Sequence, residues 1–162
     1  MWRKPWQLWR QQGSLPVSKT AESRTAKLGE LGEKTAVRLF KARNCTILAR
    51  NWRNSSAHDG AGELDIVLLD GETLVFAEVK TRSKADDYLP GANLSDEQKQ
   101  RIRRGARAYC RKHHIAEAID KRFDLVEVIH DGSKLQNITL HENYMTFPQT
   151  EFLTEPQVEA IL

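Results

Sequence analysis

Two aliphatic and β-branched runs, Leu64 to Leu69 and Thr73 to Val79, stand on either side of Asp70-Gly71. A type I′ turn needs positive φ at both central positions, which makes this dipeptide a strong signal for a tight two-residue hairpin. The register that follows sets Leu69 opposite Glu72 and Asp65 opposite Phe76, and cross-strand partners share a face of the sheet. Alternation carries Glu78 and Lys80 to that same face. Asp65 and Glu78 become diagonal neighbours at roughly 5–8 Å, close enough for both to reach one divalent cation. The opposite face, Leu64, Ile66, Leu68, Val75, Ala77 and Val79, is apolar throughout and fit for a core. A three-residue loop with a bulge would slip the register by one and dismantle the arrangement.

The rest of the chain gives this hairpin a setting. Thr25 to Asn44 has helical spacing, with Val37 and Phe40 on one stripe and Asn44 as the C-cap. Glu33 lies one turn before Val37 on the apolar side, where a carboxylate either snorkels out or has an inward task. A strand from Thr46 to about Trp52 and a polar loop, 54–61, lead into the hairpin. Ser95-Asp96-Glu97-Gln98 matches a capping box and opens a helix to about His113. Arg122 to Ile129 and Leu135 to His141 read as strands joined by a turn at Asp131-Gly132. The element order is αβββαββ, an α/β fold. The division along the chain is a basic, tryptophan-containing tail over 1–24, one α/β domain over 25–147 and a peripheral tail over 148–162. In the first tail Trp2, Trp6 and Trp9 sit at helical spacing among Arg3, Lys4 and Arg10, either as an amphipathic contact segment or as a tail folded back on the domain.

Composition narrows the function classes. A length of 162 residues suits one domain with a real core, and a net charge of +3 only leans toward an anionic partner. The distribution says more: Lys99, Arg101, Arg103, Arg104, Arg107, Arg111 and Lys112 follow one another with no acid between them. Like charges at i,i+4, as in Arg103 with Arg107, cost helix stability unless an anion is near. Phosphate contact is therefore favoured over a merely solvated face, with Arg53 and Arg82 as further candidates flanking the hairpin. Cys45 and Cys110 form no spaced framework, which suits reduced thiols in a cytoplasmic protein. No apolar run approaches the ~20 residues that cross a bilayer. His58 and Asp59 read as turn residues or a substrate clamp, His113 and His114 as a helix C-terminus, and Trp52 as core in preference to a stacking platform.

Taken alone, Glu78 and Lys80 two positions apart are a weak signal, since such surface pairs are worth about 0–1 kcal/mol. Asp65 sharpens it. Two carboxylates in one patch repel unless a cation or a proton sits between them.

Several blocks in order resemble the bacterial YraN family of predicted endonucleases, within the restriction-endonuclease-like PD-(D/E)xK superfamily. They are Gly29-x-x-Gly32-Glu33-x-x-Ala36, Arg50-Asn51-Trp52-Arg53, Gly62-Glu63-Leu64-Asp65, Phe76-Ala77-Glu78-Val79-Lys80-Thr81-Arg82, Lys99-Gln100 and Arg122-Phe123-Asp124. The proline that names the superfamily motif is replaced by Leu64, a loss that removes no ligand. The resemblance implies a mixed central sheet flanked by helices and a metal-dependent phosphodiesterase. It implies that Asp65, Glu78, the Val79 carbonyl and Glu33 hold magnesium or manganese, and that Lys80 orients the attacking water and offsets developing negative charge. Glu33 then completes the site or holds a second cation. The implied substrate is nucleic acid, DNA more than RNA, selected by structure, with Arg53, Arg82, Lys99, Arg101, Arg103, Arg104 and Arg107 as backbone contacts. Nucleases of this fold often pair as homodimers. The rival expectation is a non-catalytic nucleic-acid-binding partner in a repair or recombination complex.

Overall fold

A computed structural model describes residues 19–54, 62–83, 94–131 and 133–146, with side chains from Arg24 onward. The three tail tryptophans, His58, Asp59, Gly132 and residues 148–162 lie outside the described residues. The elements are α1 (Lys19–Ala42), β1 (Thr46–Asn54), β2 (Gly62–Asp70), β3 (Thr73–Ser83), α2 (Asp96–Lys112), β4 (Lys121–His130) and β5 (Leu135–Met145), the expected αβββαββ order. Helix α1 begins ahead of the expected Thr25, and β5 runs on past His141.

The five strands lie side by side in chain order, antiparallel except for β3 against β4, which run parallel. A parallel pair cannot be closed by a tight turn, so the chain crosses over through α2 before β4 begins. The helix starts where the sequence places it: the Ser95 hydroxyl accepts from the Gln98 N–H, and the Gln98 side chain accepts from the Ser95 N–H. Such a reciprocal cap satisfies two otherwise orphaned donors. Asn44 sits just past the end of α1 with φ 63°, the left-handed geometry that asparagine tolerates at a helix terminus.

Both faces of the sheet are covered. On one, Ile102, Ala106, Tyr109 and Cys110 of α2 pack on Val67, Leu74, Phe76, Phe123 and Leu125. On the other, Ala36 and Phe40 of α1 pack on Ile66, Leu68, Val75, Ala77, Val126 and Val128. The face expected to carry Asp65, Glu78 and Lys80 beside Leu69 and Phe76 is also core over much of its length, with Phe76 fully buried and Leu69 packed on the α2 cluster. Cys45 and Cys110 are free and buried in clusters on opposite faces of the sheet. Burial pushes the Cys110 thiol up to about 11, which leaves it unreactive at neutral pH.

The hairpin register differs from expectation. Asp70 pairs with Thr73 and Leu69 with Leu74, so Gly71 and Glu72 form the loop and Asp70 ends its strand. Asp70 accepts from Arg122 at 2.8 Å, and Gly71 supplies a φ of 59° in the turn. The slip is two residues, and strand faces repeat every two, so the grouping of Asp65, Glu78 and Lys80 survives. Leu64 does change sides: it packs with Val67 in the α2 cluster, while Ile66 between them packs in the α1 cluster.

Two close approaches set the helices against the sheet. A Cβ on Gly32 of α1 would lie 1.8 Å from Thr81 Oγ1, and one on Gly62 of β2 would lie 2.5 Å from the Gly105 nitrogen of α2. Only glycine permits these contacts.

Candidate active site at the fork between two strands

The ladder between β2 and β3 runs from the turn to Ile66 opposite Ala77 and stops there. Beyond it the Val79 N–H donates to the side chain of Asp65, Oδ2 at 2.8 Å, instead of to a backbone carbonyl. The carboxylate thus stands in the mouth of a fork between two strands. Its placement follows from a local reversal of faces on both β1 and β2. Asn51 adopts a left-handed φ of 48°, so Ala49 and Trp52, three residues apart, pack on the same core. Leu64 and Val67 do the same across from them. Asp65 is the residue at which β2 turns over.

Glu78 and Lys80 follow on β3. The Glu78 side chain is 4% exposed, and Lys80 Nζ donates to its Oε1 at 2.7 Å. Glu33 reaches the fork from α1, held by the Asn51 amide, Nδ2 to Oε2 at 2.8 Å, with Arg50 at 3.9 Å. Burial, first, and then the negative charge of Glu78 push the Asp65 carboxyl up to about 7; the Val79 N–H and Lys80 oppose the shift, and Glu33 adds to it. All four expected site residues are therefore brought together. Loss of solvation and a neighbouring like charge both disfavour the ionised form of a carboxyl, and both act on Asp65.

The expected phosphate contacts divide. Arg53 donates from Nε and a terminal nitrogen to Glu63 Oε1 at 3.1 and 2.9 Å. Arg101 lies 3.9 Å from Glu63 and 3.9 Å from Glu78, leaning from α2 across the site. Arg103 turns away and donates to the Thr146 carbonyl at 3.3 Å. Lys99 lies 3.8 Å from Asp96 in the first turn of α2. Arg82 continues β3 beyond Lys80, in register with Ile129. Arg104 stands beside the contact of Gly62 with Gly105, and Arg107 is half-buried further along α2. Trp52 packs edge-on to Tyr109, ring centroids 5.3 Å apart, as core.

Three participants were not legible as such in the sequence. Asn51 holds Glu33, Glu63 holds two arginines, and Glu127 on β4, in register with Lys80, pairs with His141 at 2.8 Å. Only an asparagine within a strand pattern, a residue type tolerant of left-handed backbone, hinted at the first. Among the described residues no group of three or more His, Cys, Asp or Glu is arranged to hold a metal ion, and no helix is long and apolar enough to cross a membrane.

Residues 32–128, which span the fork and both glycine contacts, match the model of the uncharacterised protein family UPF0102. The chain belongs to that family. It is 41% identical over 106 residues to a UPF0102 protein of Solibacter usitatus, covering 65% of this chain and 76% of the relative. A UPF0102 protein of Acidothermus cellulolyticus is 37% identical over 132 residues, 74% of this chain and 95% of its own length. Another, of Parafrankia, reaches 46% over 103 residues, 63% of this chain and 81% of its own. Glu33, Asn51, Asp65, Glu78, Lys80, Arg101 and Glu127 all fall inside the family match, and His141 outside it.

Proposed function

We propose that this UPF0102 protein is a divalent-metal-dependent endonuclease that hydrolyses phosphodiester bonds of nucleic acid, DNA in preference to RNA. It is the YraN-type, restriction-endonuclease-like reading, and the five-stranded mixed sheet between two helices is compatible with that fold. The observation that carries it is the convergence of Asp65, Glu78 and Lys80 at the strand fork, where burial and then the charge of Glu78 raise the Asp65 carboxyl. The donor set is all oxygen. Magnesium is commonly held by one or two carboxylates with waters completing the octahedron, so Asp65 and Glu78, with the Val79 carbonyl beside them, fit it without a third acidic ligand. Manganese suits the same donors.

A bound magnesium supplies Lewis-acid activation of the phosphodiester and its attacking water. The protein's own groups do the rest. Lys80, fixed by its bond to Glu78, orients the water and offsets charge on the phosphoryl oxygens in a half-buried site. Glu33, anchored by Asn51, borders the fork from the α1 side and completes the negative field. Fold analogy alone would not carry the reading.

One observation favours the second reading, a non-catalytic nucleic-acid binder: Lys80 and the Val79 N–H already bond both carboxylates. Cleavage assays on single-stranded, duplex, flap and four-way-junction DNA with magnesium or manganese decide between them. Metal-dependent products lost in Asp65→Ala and Lys80→Ala establish the nuclease; sound binding with no mutation-sensitive product overturns it.

A further inference from the structure

Arg101 leans across the site from α2, and among the described residues its surroundings are incomplete. Its terminal nitrogens lie 3.9 Å from Glu63 Oε2 and 3.9 Å from Glu78 Oε1, beyond hydrogen-bond reach of either. Its Nε is buried without a hydrogen-bond partner. A guanidinium carries five donors in a rigid fork, and a buried donor left unpaired costs the full penalty of its desolvation. Arg53 meets the other side of the same carboxylate and bonds it through two nitrogens. Glu63 therefore stands between two arginines that arrive from different elements, β1 and α2, at the border of the fork.

We propose that Arg101 is a phosphate clamp held in waiting, with Glu63 as the positioning residue that aims Arg101 and Arg53 at the same ligand. Planar forks match the oxygens of a phosphodiester, and the fork of Arg101 finds no such match among the described residues. Its two long ion pairs keep the side chain extended across the site without satisfying it. A phosphate oxygen arriving beside Lys80 meets Arg101 already oriented, while Glu63 retains Arg53 at the rim. The ligand class is the phosphodiester backbone of a nucleic-acid strand. This rests on the nucleic-acid reading above, but not on cleavage.

The test is binding of a fluorescein-labelled single-stranded oligonucleotide to the full chain in EDTA, read by anisotropy across a salt series. Arg101→Lys keeps the charge and loses the fork. It is expected to bind about tenfold more weakly, nearly as weakly as Arg101→Ala, whereas Lys34→Ala, which removes a charge from an exposed pair on α1, leaves affinity near wild type. Glu63→Gln separates aiming from bulk charge. Removal of a negative charge beside a phosphate tightens binding if only net charge matters, and weakens it if Glu63 aims the arginines. Thermal melts confirm that each variant folds. Arg101→Lys binding like wild type overturns the clamp, and tighter binding by Glu63→Gln overturns the role of Glu63. Failure of the nuclease reading looks different: clamp variants lose binding as expected while the wild type, loaded with magnesium, cuts nothing.

Discussion

The Val79 N–H donates to Asp65 Oδ2 at 2.8 Å, just beyond the last backbone pair of the β2–β3 ladder. A side chain takes over the bond that a carbonyl would have made, so the fork opens without orphaning a buried donor. The same carboxylate is thereby fixed in a partly desolvated place next to Glu78, and its pKa rises from 3.8 to about 7.

Stability should follow from that shift. A carboxyl whose folded pKa is raised binds its proton more tightly in the native state, so its stabilising contribution is complete below about pH 4 and is lost as pH rises through about 7. Asp65→Asn removes this titration and keeps an oxygen for Val79. The variant should gain on the wild type between pH 4 and 7 and hold a constant advantage above, on the order of 2–4 kcal/mol before relaxation of the neighbours. Urea denaturation at pH 5 and pH 8 measures it; an equal difference at both values would refute the assignment.

A divalent cation should reverse the penalty. Magnesium at about ten times its Kd should stabilise the native state by about 1.4 kcal/mol at pH 8. The gain should shrink at pH 6, where binding must first displace the Asp65 proton. Melting temperatures with and without magnesium, in wild type, Asp65→Asn and Glu78→Gln, check this. A magnesium-dependent rise that persists in both variants would place the ion elsewhere.

Much of this arrangement was legible in the sequence, for reasons that particular residues make plain. The capping box at Ser95 and the alternation of β2 and β3 are local signals, and local signals fixed the element order. Strand faces repeat every two residues, so the grouping of Asp65, Glu78 and Lys80 withstood a hairpin register wrong by two. The reversal of faces at Leu64 was not legible, because it depends on the left-handed backbone of Asn51 on another strand. Nor was the double duty of Glu63, since Arg53 and Arg101 meet it only through tertiary packing.

Asn51 offers a separation of backbone from side chain. Asn51→Gly relieves the φ of 48° but deletes the amide that holds Glu33, so the fold should stand while any Glu33-dependent activity falls. Asn51→Val loses the amide and forces a β-branched residue into left-handed backbone, at an added cost of about 1–3 kcal/mol. Chemical denaturation of the two variants side by side should show the gap; equal stabilities would mean that β1 re-registers.

Behind the site, Asp124 is fully buried, bonded by Arg122 Nε at 2.9 Å and by the Asn143 N–H at 2.9 Å. Arg122 also reaches Asp70, tying the hairpin turn to β4, and the bonds to Asp124 and Asp70 raise its proton affinity further. Asp124→Asn leaves Arg122 with a reduced counter-charge in the core and should cost about 3–5 kcal/mol. Asp124 is in register with Ala77, one residue before Glu78, but its bonds run to Arg122 and the Asn143 N–H and not to the fork carboxylates, so the fraction that remains folded should retain the metal response of the wild type. Denaturation midpoints paired with magnesium titration of the native fraction test both halves. Loss of the metal response at full folding would give this pair a part in the site itself.

The two glycine contacts predict a contrast in rescue. Gly32→Ala meets the Thr81 side chain, with Oγ1 at 1.8 Å, and should cost about 1–3 kcal/mol by overpacking. Thr81→Ala removes the offending oxygen and methyl, so the double variant should recover much of that loss. Gly62→Ala instead meets backbone, the nitrogen and Cα of Gly105 at 2.5 and 2.6 Å, and no side-chain trimming on α2 can relieve it. It should push α2 away from β2, carrying Arg101 with it, and so weaken oligonucleotide binding as well as stability. A double-mutant cycle on Gly32 and Thr81, beside denaturation and binding measurements on Gly62→Ala, distinguishes these cases. A Gly62→Ala protein as stable and as tight-binding as wild type would show that α2 can shift without disturbing the fork.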